Sequence, residues 1–78
     1  MQFDNSAVGA TVRAIRKEKG LSQDVLSGLA GIARTHLMMI ENGTKQANFE
    51  TLWRLALALD MCPSDLVRRI EETIEQKG

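Results

Sequence analysis

Apolar side chains return every three or four positions along this chain, in runs divided by glycine, asparagine, aspartate or proline. That is the pattern of short amphipathic helices. Apolar–polar alternation, the mark of a half-buried strand, is absent, and there is no tyrosine and few β-branched runs. The pattern predicts an all-α chain of five helices with tight connections. Helix 1 is expected from about Ala7 to Lys19, with Val8, Val12 and Ile15 as its apolar stripe and Gly20 as its stop. Helix 2 opens at Ser22, an N-cap that can accept a backbone N–H, with Asp24 near the positive helix terminus. Its inward residues are Val25, Leu26, Leu29 and Ala30. Gly28, inside this helix, costs about 1 kcal/mol relative to alanine, and close packing against a neighbour is one account of it. Gly31 breaks the run, Leu37 and Ile40 resume it, and Asn42-Gly43 ends helix 3. Helix 4 follows Asn48 as N-cap, with Phe49, Leu52, Leu55, Ala56 and Leu59 on its core face. Asp60 takes a stop position better suited to glycine. Helix 5 begins at Pro63, whose missing N–H would be unpaired there anyway, and continues through Leu66, Val67, Ile70 and Ile74 towards Gln76.

At 78 residues the chain has room for one domain, and a core this small leaves stability marginal. A single cysteine, Cys62, excludes an internal disulfide, and no Cys/His cluster offers a structural metal. Helix packing and oligomerisation are the remaining sources of stability. Cys62 reads as a small, partly buried thiol, in keeping with a cytoplasmic setting. No apolar run approaches the roughly 20 residues of a membrane span, and Met1 to Asn5 lacks the features of a secretory signal. The formal net charge is zero, but its distribution is uneven. Residues 13–45 carry Arg13, Arg16, Lys17, Lys19, Arg34 and Lys45 against Glu18, Asp24 and Glu41, whereas residues 46–78 are net acidic. Such asymmetry suits a protein with one face turned to phosphates.

No residues present themselves for catalysis. His36 is the only histidine and has no partners at useful spacing. Glu71, Glu72 and Glu75 lie on the polar face of helix 5, where a solvated face is the ordinary reading. There is no glycine-rich phosphate loop or nucleophile motif. Neither a cofactor, a metal nor a small-molecule ligand is expected, and the chain does not read as an enzyme.

Helices 2 and 3, about nine residues each and joined by a short glycine turn, form a helix-turn-helix unit. The tight turn makes the second helix project, and its outer face then fits a DNA major groove. With Leu37 and Ile40 buried, helical periodicity turns Arg34, Thr35, Met38 and Met39 outward and leaves His36 at the border. Arginine can engage guanine O6 and N7 with two hydrogen bonds, while threonine and methionine suit the thymine methyl group. Lys45, Lys17 and Lys19 are candidates for phosphate contacts, with His36 beside them.

From Gly20 to Leu66 the sequence resembles the XRE (Cro/lambda-repressor-like) helix-turn-helix family. The resemblance is carried by Arg16-Lys17-Glu18-Lys19-Gly20-Leu21-Ser22-Gln23, Ala30-Gly31-Ile32, Leu37, Ile40-Glu41-Asn42-Gly43 and Phe49-Glu50-Thr51-Leu52. Leu55-Ala56 and Ala58-Leu59 complete it. It implies that Gln23, with Ser22 before it, meets the DNA backbone, and that Asn42 contacts a phosphate. Arg34, Thr35 and Met39 match base-reading positions, and Arg16 and Glu41 match an internal ion pair. The chain departs from the family at Ala33, where a Ser or Thr cap is common, at Ser27, and at Met38 and Met39, which replace more polar residues.

Helix 4 is apolar almost all round, leaving Trp53 and Leu57 beyond its core face. Exposed apolar patches mark interfaces, and tryptophan is a favoured anchor in them. Helix 5 adds Leu66, Ile70 and Ile74. The expectation is one domain over residues 1–78, forming a homodimer through helices 4 and 5 (about residues 49–76). Such a dimer would present two recognition helices to a palindromic operator in double-stranded DNA. The expected role is a small repressor or controller protein of bacterial or phage type. The rival is an antitoxin-like interaction module, binding a protein partner through helices 4 and 5 with DNA binding secondary.

Overall fold

The structure, a computed structural model, describes residues 1–77. They form α1 (Asn5–Glu18), α2 (Gln23–Ala30), α3 (Arg34–Glu41), α4 (Phe49–Ala58) and α5 (Pro63–Lys77). Helix α1 starts two residues ahead of the expected Ala7 because Asp4 caps it. The Asp4 carboxylate accepts the Ser6 N–H at 3.0 Å and the Ser6 hydroxyl at 2.7 Å, and the hydroxyl bond holds its pKa below the ordinary carboxylate value. Ser22 and Asn48 cap α2 and α4 by accepting from the N–H groups of Val25 at 3.1 Å and Thr51 at 2.8 Å. Helix α3 follows Ala33 and has no side-chain cap.

Four helices end alike, with the chain turning through left-handed backbone at Gly20, Gly31, Gly43 and Asp60. Asp60 sits at φ 59°, a conformation costly for a residue bearing a Cβ. It is held there by the closing bonds of α4, from the Met61 N–H to the Ala56 carbonyl at 2.9 Å and from the Asp60 N–H to the Leu57 carbonyl at 3.0 Å. These bonds satisfy carbonyls that the helix end would otherwise leave unpaired.

The core gathers Val12 and Ile15 from α1, Leu26 from α2, Leu37 and Ile40 from α3, and Leu55 from α4, closed by Leu59 and Leu66. Helix α1 packs on α3 and α5, α2 on α3 and α4, and α4 on α5. No helix among the described residues is long and apolar enough to cross a membrane.

Several packing expectations are corrected. Val25 and Leu29 are exposed rather than inward. At about 100° per residue, the buried arc of α2 runs through Leu26, Ser27 and Ala30, and α4 covers that side, not the one carrying Val25. Phe49 is 70% exposed rather than part of the core. It belongs to a stripe with Trp53 and Leu57, spaced four residues apart, on the face of α4 opposite Leu55 and Leu59. Conversely, Leu66 and Ile70 are 1% and 6% exposed and lie in the core, because their row on α5 is what seals the bundle. Ile74 packs partly against the same core. Cys62 is exposed rather than partly buried. Gly28 has no heavy atom within 4 Å of where a Cβ would stand, so close packing does not account for it. The crowded glycine is Gly9, where a Cβ would collide with the backbone carbonyls of Ile40 and Glu41.

Candidate functional site

Helix α3 is seated by three inward residues, Leu37, Ile40 and Glu41, all buried. Its seat is also backbone on backbone, since Gly9 lets α1 approach the last turn of α3. Its outer face carries Arg34, Thr35, Met38 and Met39, all exposed, with His36 half-buried at the edge.

Glu41 joins this helix to the rest of the fold. Arg16 donates to it twice, from Nε at 2.7 Å and Nη2 at 3.0 Å, and spends Nη1 on the Leu21 carbonyl at 2.9 Å. Both side chains are buried, and the Glu41 hydrogen bonds hold the Arg16 pKa above its usual value. Gln23 donates from Nε2 to the same carboxylate at 3.0 Å. A primary amide has two N–H groups, so Gln23 is fixed by one while the other remains to donate.

The neighbouring polar groups keep donors in reserve in the same way. The Ser22 hydroxyl oxygen accepts the helix cap, leaving its O–H to donate. Asn42 spends its side-chain carbonyl on Thr44, accepting from the backbone N–H at 3.0 Å and from the hydroxyl at 2.6 Å. Its amide nitrogen then remains to donate. Gln23 and Asn42 line one cleft with Arg13 and Met38, a space of about 360 Å³ between α1 and α3. Arg13 was not singled out by sequence reasoning as a site residue. The signal was its position three residues before Arg16, which puts it on the side of α1 that meets α3.

The charges sort by region. Arg16, Arg34, Arg54, Arg69 and Lys77 are ion-paired, whereas among the described residues Arg13, Lys17, Lys19, Lys45 and Arg68 have no carboxylate at ion-pair distance. Four of those five lie between residues 13 and 45, around the helix-turn-helix, so the local field there is positive. Arg34 differs from these: its Nε stands 3.2 Å from the Asp24 carboxylate, with both side chains largely exposed.

The residues expected at an interface come together only in part. Trp53, 47% exposed, lies against Phe49 with ring centroids 6.1 Å apart, and both line a groove with Pro63 and Val67. Val67 also borders an apolar cleft beneath Met1 and Phe3 that reaches Ile74. Leu57 lies elsewhere, in a shallow depression with Gly28, Leu29 and Arg54. Leu66 is enclosed in the core, and Ile70, 6% exposed, reaches only the lining of the cleft that Ile74 borders.

Residues 12–67 match a family described as helix-turn-helix. The chain is 33% identical over 66 residues to an uncharacterized HTH-type transcriptional regulator, y4dJ, of Sinorhizobium fredii, covering 85% of this chain and 86% of that protein. It is similar to the restriction-modification controller protein C.AhdI of Aeromonas hydrophila, with 35% identity and a TM-score of 0.78 over 81% of this chain and 96% of that one. It also shares the fold of the controller protein C.Esp1396I, whose structure is a tetramer in complex with its natural 35 base-pair operator. The TM-score there is 0.86 at 23% identity, over 95% of this chain and 97% of that one.

Proposed function

The chain belongs to the helix-turn-helix family of transcriptional regulators, and from that premise we propose that it binds duplex DNA sequence-specifically, as a dimer, at a palindromic operator. The carrying observation is α3, whose inward residues are locked in the core while Arg34, Thr35, Met38 and Met39 are exposed on its outer face. In this reading α3 enters the major groove, Arg34 takes a guanine edge, and Thr35 and the methionines meet apolar base surface. Gln23, Ser22, Asn42, Lys17, Lys19 and Lys45 hold the backbone, with His36 at the margin and Arg13 added to them.

The dimer is argued from surface and size. An eight-residue helix is about 12 Å long, so one copy reads only a half-site. The apolar groove of Phe49, Trp53 and Val67, continuous with the cleft under Met1 and Phe3, is the surface that a second copy would cover. Residues 1–78 then act as one unit in the cytoplasm. A controller role of this kind is supported by the similarity to the restriction-modification controller protein C.AhdI. A protein partner in place of a second copy is the competing occupant of the groove.

Selection of binding sites from random duplex DNA at two salt concentrations tests the reading. A palindromic motif is expected, with affinity falling steeply as salt rises. Arg34→Ala should relax one base position in each half-site at a cost of about 1–3 kcal/mol per contact, while Arg13→Gln should weaken all sequences alike and flatten the salt slope by about 0.9 per subunit. Absence of any preferred duplex would overturn the proposal.

A further inference from the structure

An arginine projecting from the start of a DNA-facing helix poses a problem of discrimination. Phosphates line every duplex, so a free guanidinium gains attraction from any sequence, and that attraction carries no information. Arg34 is not free. Its Nε stands 3.2 Å from Asp24 Oδ1, and the two side chains retain 61% and 75% exposure. An ion pair this exposed adds little to folding, so stability does not account for it. Its location is specific: the Ser22 cap fixes the first turn of α2, and Asp24 in that turn is thereby held beside the first residue of α3.

Resting on the functional reading above, we propose that Asp24 is a specificity-determining residue that acts through Arg34. The carboxylate cancels the attraction of Arg34 for phosphates and itself repels them, so the arginine gains nothing from a wrong sequence. Contact through Nε leaves the terminal amino groups of the guanidinium to form base-edge hydrogen bonds. A guanine, with two acceptors arranged for arginine, competes for the guanidinium through geometry rather than net charge. Asp24 therefore penalises non-cognate binding more than cognate binding, which is how specificity is obtained by disfavouring the alternative. Asp24 also lies where a negative charge favours the helix terminus, and a role confined to the stability of α2 would move both affinities together.

The test compares the full chain and its variants on the selected operator duplex and on a scrambled duplex of equal length and composition, by fluorescence anisotropy across a salt series. Asp24→Asn should tighten binding to the scrambled duplex about two- to fivefold, with a smaller change on the operator, so that the affinity ratio falls. The salt slope on the scrambled duplex should steepen by about 0.9 per subunit as Arg34 takes a phosphate. Asp24→Glu, which keeps the charge, should retain most of the ratio. In an Arg34→Ala background, Asp24→Asn should leave the ratio unchanged. An unaltered ratio in the single variant, or an equal fall without Arg34, would overturn the proposal while leaving DNA binding intact. A wild-type protein unable to distinguish the two duplexes would overturn both.

Discussion

Glu41 serves two regions with one carboxylate: it neutralises the buried Arg16 and it orients Gln23. Burying two charges is costly, and the arrangement holds because all the guanidinium nitrogens have partners, two on Glu41 and one on the Leu21 carbonyl. Removing the acid strands the base. Glu41→Ala should therefore lower stability by about 3–5 kcal/mol in urea unfolding followed by circular dichroism. Gln23→Ala, which gives up one partly buried hydrogen bond, should cost only about 1 kcal/mol. The resemblance supplied the Arg16–Glu41 pairing, since 25 residues of separation leave no local trace. The place of Gln23 on the same carboxylate was not legible, because a second acceptor oxygen has no signature in a sequence.

At the scale of the helix, what could be read was local chemistry, and what could not was which side would be covered. Ser22, Asn48 and Pro63 fixed three helix starts because capping depends on a few adjacent residues. Val25 and Leu29 were misplaced because six of the eight residues of α2 are apolar or small, and periodicity over two turns leaves its direction ambiguous. Only the position of α4 resolves it. The glycines make the same point with opposite signs. Gly28 is helical with open space around it, so Gly28→Ala should stabilise the protein by about 1 kcal/mol. Gly9→Ala would drive a methyl group into the carbonyls of Ile40 and Glu41 and should cost about 1–3 kcal/mol or more. Thermal melts of the two variants should move in opposite directions, by about 4–8 °C for each kcal/mol in a chain of this size. Two upward shifts would contradict the close approach of α1 and α3.

For the whole molecule, the outcome turns on an exposed aromatic stripe and an uneven charge. The Cα trace extends 32 Å along its longest axis, slightly less than one turn of B-DNA at roughly 34 Å. Two copies side by side are thus needed to occupy successive major grooves on one face of the duplex. Trp53→Arg removes the most favoured anchor from the Phe49–Val67 groove without touching the core. It should shift sedimentation from dimer to monomer at micromolar concentration and leave the melting profile of dilute protein nearly unchanged. If assembly persists, the groove is not where the copies meet. Leu66 and Ile70 are unsuitable for such a test, because their replacement would unfold the chain that it was meant to separate.

The close passage of α1 over α3 at Gly9 also divides labour within the helix that follows the turn. What anchors it is backbone contact together with Leu37, Ile40 and Glu41; what it offers outward is Arg34, Thr35, Met38 and Met39, and the two groups share no member. The outward letters can be respelled without loosening the mount, so under the proposed reading a new target sequence could be acquired on an unaltered frame.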